Sequence, residues 1–336
     1  MAREAAEAPE VVAQMFGRAA PALREAVRLF RARKPSHLIT SARGSSDYAA
    51  LYLKYLAEMV LGLPCASVGA SVVSIYRRPL ALRDTIVVAL SQSGASPDSL
   101  AFAAEAKRAG VPLVTITNMP GSPLSKLADI AIELGAGPET SVAATKTFIA
   151  TAAIAARLIA EWGGDNALTT ATDKLPEALA RANSVRWTMA EDAMASAHSL
   201  FVLGRGPCLP MAGEAALKLK ETAGLHAEAF SAAEVLHGPM ALIDPEFPVL
   251  LFAPADEAHA TNMATAERLR GAGANVFTVS ADGKADGALT LVATAHVLLD
   301  PISIVQTFYG SAERIACARG RDPDRPRLLS KVTRTL

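Results

Sequence analysis

Two short runs in the first half of the sequence place hydroxyls and glycine where an apolar run gives way to a helical pattern. Ser91-Gln-Ser-Gly-Ala-Ser96 follows the apolar run Thr85–Leu90, and Pro97-Asp98 then opens an amphipathic stretch. Proline suits a first helical turn, where its missing N–H has no intrahelical partner anyway, and Ser96 is the expected N-cap. Ser91, Ser93 and Ser96 offer hydroxyls, while Gly94 lets backbone N–H groups approach a ligand closely. A helix N-terminus carries partial positive charge, so such a turn can hold a phosphate without lysine or arginine. Arg43-Gly-Ser-Ser-Asp47 has the same strand-to-helix setting and adds the hydroxyls of Ser45 and Ser46. Neither turn has Walker-loop spacing, and Gly204-Arg-Gly206 with Leu209 in the third-glycine position is no dinucleotide fingerprint. The chemistry implied is capture of a phosphorylated small molecule, with no nicotinamide cofactor.

The second half holds groups suited to moving protons. On a helix, Glu214, Lys218 and Glu221 fall at i, i+4 and i+7 and share one face. A stripe of that kind is ordinarily a solvated, salt-bridging surface. What favours chemistry is the segment after it: His226-Ala-Glu228, then Glu234-Val-Leu-His237 before Gly238-Pro239, where the chain must turn. A carboxylate, an amine and an imidazole are expected to converge on one pocket. His37, His198, His259 and His296 sit beside apolar runs without a partner pattern and are expected to be structural. Cys65, Cys208 and Cys317 show no metal or disulfide spacing and are expected to pack as small reduced thiols.

These residues must be positioned by an internal repeat. Leu38-Ile-Thr-Ser-Ala-Arg-Gly44 matches Leu200-Phe-Val-Leu-Gly-Arg-Gly206 at an offset of 162 residues, and Thr85–Leu90 matches Phe247–Phe252 at the same offset. Val111–Thr117 matches Ala274–Ser280 at 163. In each copy, continuous apolar runs alternate with amphipathic helices: Ser99–Ala109 in the first, Met211–Thr222 and Glu257–Ala272 in the second. Gly110 and Gly273 close helices just before the next strand. The expected fold is α/β, two tandem doubly wound parallel-sheet subdomains of flavodoxin-like type with helices on both faces. The expected divisions are a helical arm over 1–34 (its helix Val11–Ala32), a phosphate-binding subdomain over 35–165 and a helical connector over 166–197 centred on Lys174–Ala197. An acid–base subdomain over 198–320 and a tail over 321–336 complete them. In such sheets, ligands bind outside the carboxyl ends of the strands.

Composition bounds the partners. At roughly 150 residues per domain, 336 residues suggest two. Hydrophobic residues make up 51% and charged ones 20%, which excludes a disordered chain. Thirty-three basic residues balance 33 acidic ones, and aromatics are only 5%, so neither a polyanion-binding surface nor a base-stacking one is expected. The start is acidic and lacks an apolar core, and Val142–Ala160 is interrupted by Lys146 and Arg157. That stretch reads as a buried helix rather than a membrane span, and a cytoplasmic enzyme or small-molecule binder that engages neither nucleic acid nor membrane is expected.

Seven ordered segments give the chain a family resemblance. Arg43–Ser46, Ser91–Gly94, Val142-Ala-Ala-Thr-Lys146, Ala216-Leu-Lys-Leu-Lys-Glu221, His226-Ala-Glu-Ala-Phe230, Glu234–Pro239 and the tail Asp322-Pro-Asp-Arg-Pro326…Lys331-Val-Thr333 resemble the tandem sugar isomerase (SIS) family. They are most similar to the isomerase half of glucosamine-6-phosphate synthases and to stand-alone isomerase-type glucosamine-6-phosphate deaminases. The resemblance implies phosphate binding at Ser46, Ser91, Gln92, Ser93 and Ser96, and sugar contacts from the backbone near Val142 and Ala143. It implies a proton-shuttling carboxylate at Glu221 beside Lys218, and a ring-opening imidazole at His237 supplied across a homodimer interface. A Schiff-base amine is implied at Lys331. The ligand implied is a hexose or hexosamine 6-phosphate, with no metal or organic cofactor.

Two departures qualify the transfer. Synthases draw ammonia from a glutaminase domain with an N-terminal cysteine, whereas the first cysteine here is Cys65 and about 34 residues precede the first strand. Glutamine is therefore not the expected nitrogen source within this chain. Ala95 also stands where synthases usually carry an acidic residue. The turn Ser91–Asp98, Arg43–Asp47 and the Lys331-Val-Thr ending resemble the deaminases instead, so deamination of glucosamine 6-phosphate to fructose 6-phosphate and ammonia is expected. An ammonia-dependent synthase-type isomerase, a galactosamine-6-phosphate deaminase and a fructosamine-6-phosphate deglycase share that site. A non-catalytic sugar-phosphate sensor is the alternative of another class; a DNA-binding module of the usual size does not fit the short N-terminal arm.

Overall fold

A computed structural model describes residues 1–281, 283 and 286–331; Val332 and Thr333 of the tail motif lie outside the described residues. The chain opens with helices α1 (Ala2–Ala6) and α2 (Ala8–Arg33). Five strands follow: β1 (His37–Ser41), β2 (Cys65–Ser67), β3 (Thr85–Ser91), β4 (Leu113–Thr117) and β5 (Ile130–Glu133). Interleaved with them are α3 (Ser45–Leu61), α4 (Ser71–Ser74), α5 (Pro97–Arg108) and α6 (Pro123–Leu127), and α7 (Lys146–Gly163) comes after. The strands form one parallel sheet in the order β2-β1-β3-β4-β5. Its central strands are buried on both faces: Ile86 to Leu90 are at most 1% exposed. That is why they read as unbroken apolar runs rather than as alternation.

The second half repeats the plan. Helices α8 (Asn166–Ala182) and α9 (Thr188–Ser196) lead into β6 (Ser199–Gly204), α10 (Cys208–Lys218), β7 (His226–Ser231) and β8 (Pro248–Phe252). Next come α11 (His259–Gly271), β9 (Asn275–Ser280), β10 (Ala288–Thr290) and α12 (Asp300–Ala318). The sheet order is β10-β9-β8-β6-β7, again wholly parallel. Counted from its own first strand this is 2-1-3-4-5, the order of the first sheet and a standard doubly wound order. The two-sheet α/β architecture with helices on both faces is thus the one expected from the repeat.

Two compact units result, and they interleave along the chain. Among the described residues, one comprises Glu10–Glu139, Lys146–Asp173, Ser330 and Lys331; the other comprises Met1–Pro9, Thr140–Thr145 and Lys174–Leu329. The first is built around Val87, Ala89, Phe102, Ala106 and Leu113. The second is built around Phe201, Leu203, Val249, Leu251 and Leu269, with Phe201 and Phe230 meeting edge to face at 5.2 Å. Gly110 and Gly273 hold φ of +71° and +98° directly after α5 and α11, which is what ends those helices.

Local differences from the sequence reading have physical causes. The helical pattern over 174–197 is two helices, because Trp187 turns inward between them, 1% exposed, and its indole N–H donates to the Thr290 carbonyl at 3.0 Å. The thiols do not all pack alike: Cys65 and Cys208 are buried, but Cys317 is exposed at the end of α12. Burial pushes the Cys65 thiol up to about 12 and drives Cys208 well upward, so neither is a nucleophile near neutrality.

Candidate functional site

The hydroxyl turns lie where the topology favours ligands. β1 and β3 are neighbours whose following helices, α3 and α5, leave the sheet at the switch point of the strand order. Gly44 is the N-cap of α3, so Ser45 and Ser46 form its first turn. Ser96 is the N-cap of α5 as expected, in extended conformation, but its side chain makes no capping bond. The turn between is folded on itself. Ser91 Oγ accepts the Gly94 N–H at 3.1 Å, and Ser93 Oγ accepts the Ala95 N–H at 3.4 Å. The Gln92 carbonyl accepts the Asn118 N–H at 3.2 Å, and the Gly94 carbonyl accepts the Leu124 N–H at 3.0 Å.

Gly94 is obligatory on two counts. Its φ is +59°, and a Cβ there would lie 2.2 Å from Ser122 Oγ and 2.6 Å from Ser122 Cβ. Ser122 caps α6 through the Ser125 N–H, so it has little freedom to yield. The two turns are also tied to one another. Arg43 Nη2 donates to Asp98 Oδ2 at 2.5 Å, and Ser74 donates to the other carboxylate oxygen. Asp98 is 2% exposed. The Ser74 hydroxyl and then the Arg43 guanidinium hold its carboxyl below the usual carboxylate range despite burial.

Lys331 joins this same unit. Its ammonium donates to Glu139 Oε2 at 3.0 Å, and the Glu139 side chain has no exposure. Glu139 also accepts the Thr147 N–H at 3.1 Å and the Thr147 hydroxyl at 2.7 Å, at the start of α7. The sequence reading missed Glu139, and no local signal marks it: it stands in a Gly-Pro-Glu turn, and its partner is 192 residues away.

The other unit carries the carboxylate and amine of the stripe. Glu214 and Lys218 are 0% and 1% exposed and Glu221 is 23% exposed, so this face is buried rather than solvated. Lys218 Nζ is ion-paired with Glu221 and lies 3.6 Å from Glu214 Oε1, which also accepts the Tyr309 hydroxyl at 3.0 Å. After Lys218 the helix widens into one π turn, Leu219–Ala223, and Glu221 sits in it. Such single π turns recur at functional sites. Glu221 opens on a cavity of about 310 Å³ lined also by Lys220, Thr222, Gly224, Arg321 and Arg325.

Within one chain Glu221 and His237 flank opposite ends of β7, and the imidazole expected beside Glu221 is that of a second copy. Glu221 lies just before β7 and His237 lies beyond its other end, in a 3-10 turn at Glu234–His237, exposed. Six residues of strand separate those ends by roughly 20 Å. Val142 and Ala143 belong to the same unit as Glu221. The preceding Thr140 and Ser141 donate their N–H groups to the buried Glu4 carboxylate at 2.5 and 3.2 Å. The Val142 N–H faces the Asp324 carbonyl at 3.5 Å, and Ala143 is 1% exposed. Of the histidines set aside, His37, His259 and His296 each bond a neighbouring hydroxyl or backbone group through Nδ1. Among the described residues no group of three or more His, Cys, Asp or Glu could hold a metal ion, and no helix is long and apolar enough to cross a membrane.

With this geometry established, similarity to known proteins becomes informative. The SIS domain family matches residues 32–160 and 193–307. The glutamine–fructose-6-phosphate aminotransferase of Aeropyrum pernix is 36% identical over 99% of this chain and 56% of its own length. The chain spans about half the length of the curated relatives it matches. A protein from Silicibacter pomeroyi DSS-3 assigned to the phosphosugar isomerases superposes with a TM-score of 0.91, at 44% identity, over 96% of this chain and 99% of that one. The C-terminal domain of the glucosamine-fructose-6-phosphate aminotransferase of Francisella tularensis superposes at 0.81, with 26% identity, over 96% and 97%. Two matched regions, one per sheet, agree with the duplicated architecture, and the chain belongs to the SIS domain family of phosphosugar isomerase-type proteins.

Proposed function

We propose that this protein is an isomerase-type amino-sugar-phosphate deaminase, turning D-glucosamine 6-phosphate and water into D-fructose 6-phosphate and ammonia. Ser45, Ser46, Ser91, Gln92, Ser93 and Ser96 hold the phosphate, and the backbone at Val142 and Ala143 contacts the sugar. His237 of a second copy in a homodimer opens the ring. Glu221 then takes the proton from C2 and returns it to C1, while Lys218 steadies the negative charge developing on O1. The resulting imine at C2 adds water and expels ammonia, and in this reading Lys331 carries that carbon as a Schiff base.

The observation that carries this reading is the Lys218–Glu221 pair. One partly exposed carboxylate is held by a buried ammonium at a widened helix end, in a chain of this family. A sugar-phosphate sensor has no need of it. The ammonia-consuming direction remains the second reading, favoured by the 36% identity to an aminotransferase.

The test is incubation of the purified protein with glucosamine 6-phosphate, and separately with fructose 6-phosphate plus ammonia, following both sugars and ammonia. Release of ammonia is expected. Glu221→Gln should lose roughly 10³-fold in rate with sugar-phosphate affinity within a few-fold. Binding without turnover in either direction would identify a sensor. Turnover confined to galactosamine 6-phosphate or a fructosamine 6-phosphate would move the substrate.

A further inference from the structure

We infer that Glu139 is the proton carrier for Schiff-base chemistry at Lys331 and the counter-ion of the cationic imine that forms there. This rests on the reading above, in which Lys331 engages C2 of a ketose phosphate. Three observations bring Glu139 forward. Its side chain is wholly buried, and burying a carboxylate costs several kcal/mol unless it is paired and hydrogen-bonded. Its carboxylate is oriented by Thr147, whose N–H donates to Oε1 and whose hydroxyl donates to Oε2, and Oε2 also accepts the Lys331 ammonium at 3.0 Å.

The third observation is its tie to the serine turn. Asn118 donates its backbone N–H to the Gln92 carbonyl and its Nδ2 to the Gly137 carbonyl at 2.9 Å, while its Oδ1 accepts the Ala136 N–H at 2.8 Å. The segment carrying Glu139 is thereby fixed to the turn that presents Ser91 and Ser93. Both lie at the carboxyl edge of one sheet.

The step balances. Lys331 as an ammonium cannot attack a carbonyl, so one proton passes from Nζ to Oε2. The freed lone pair forms the N–C2 bond as the C2–O π pair moves to oxygen, which recovers the proton from Glu139. Glu139 next removes a second proton from the nitrogen and delivers it to the departing hydroxyl. Water leaves and a protonated C=N bond remains. Ammonium and carboxylate have become iminium and carboxylate, so the buried charge on Glu139 has a cationic partner before and after.

Borohydride reduction in the presence of fructose 6-phosphate, read by peptide mass spectrometry, tests this on the full chain. The unaltered protein should gain the reduced sugar phosphate on Lys331. Glu139→Gln should form that adduct at least ~10²-fold more slowly with fructose 6-phosphate affinity within a few-fold, and Glu139→Asp should recover part of the rate. Should Glu139→Gln fail to fold, Glu139→Asp alone decides: a tenfold slower adduct at unchanged affinity supports the inference. Trapping at the unaltered rate in either variant overturns it. A protein that deaminates yet yields no Lys331 adduct overturns it too and leaves the proposed activity standing, whereas absence of turnover sinks the activity itself.

Discussion

The turn after β3 and the turn after β8 occupy the same place in two sheets of the same order, and they are built from opposite materials. At the offset of 162 residues, Ser91, Ser93 and Ser96 correspond to Ala253, Ala255 and Ala258, and Gly94 corresponds to Asp256. Ser96 and Ala258 are the N-caps of α5 and α11. Each turn therefore offers a helix N-terminus beside a switch point, which is what the fold supplies. Only the first adds hydroxyls without negative charge; the second brings Asp256 and Glu257 to the position where an anion would sit. The acids nearest the two turns titrate in opposite senses. Ser74 and Arg43 hold Asp98 low, whereas burial, with Glu257 adding to it, pushes Asp256 up. An anion site is thus a property of the residues grafted on the turn, and the duplicated fold is permissive for it.

The largest expected effect comes from giving the first turn the composition of the second. Ser91, Ser93 and Ser96 changed together to alanine should weaken fructose 6-phosphate binding at least ~100-fold, since hydrogen bonds to a charged group are worth about 1.5 kcal/mol or more apiece. Tm should move by only a few degrees: the Gly94 and Ala95 N–H groups lose the Ser91 and Ser93 hydroxyls, but the packing of Gly94 against Ser122 is kept. Titration calorimetry beside a thermal melt checks both. Affinity retained in the triple variant would mean that the phosphate is held elsewhere.

A smaller effect is expected at the acid that ties the first two turns together. Asp98→Asn can keep an oxygen for the Ser74 hydroxyl but removes the ionised partner of the Arg43 guanidinium, at a cost of about 2 kcal/mol and roughly 5 °C in Tm near neutrality. Because the folded carboxyl titrates below its unfolded value, its contribution is present above the unfolded pKa and lost as pH falls through the folded one. The gap between variant and parent should therefore narrow on acidification below about pH 4. A gap that widens there would contradict the assignment of the stabilisation to an ionised Asp98.

What the sequence disclosed follows from which interactions are local. Strands buried on both faces write themselves as unbroken apolar runs, so Ile86–Leu90 and Val249–Phe252 were legible, as was their repetition. Gly94 was legible as a close approach, but its actual neighbour, Ser122, was not, because it lies in another loop. The charged stripe of α10 was legible by spacing, whereas its burial was not. Burial depends on α12, whose Tyr309 reaches Glu214 from 95 residues away. The π turn at Leu219–Ala223 is likewise silent in periodicity, since one extra residue per turn leaves no repeat to detect. Glu139, Glu4 and the Arg43–Asp98 pair are long-range partnerships, and a single sequence carries no trace of them. The placement of Glu221 and His237 at opposite ends of β7 follows from topology alone: one precedes the strand and the other follows it.

The smallest expected effect lies in the second turn and carries the opposite sign. Burial raises the Asp256 carboxyl, Glu257 adds to the rise, and the Ala258 N–H, donating to Oδ1 at 3.0 Å, opposes it together with His259. A carboxyl raised on folding contributes stability that is fully present below its unfolded pKa and lost as pH rises through the folded pKa. At neutral pH the ionised group is therefore a cost, reduced because Asp256 is only partly buried. Asp256→Asn keeps an oxygen for the Ala258 N–H and removes the charge, so it should gain roughly 0.5 kcal/mol, about 1–2 °C in Tm. The gain should vanish below about pH 4, where the parent is itself neutral. Thermal melts of the two proteins from pH 4 to pH 8 check this. A destabilised variant at neutral pH would show that the second turn needs its negative charge, and that its divergence from the serine turn is itself functional.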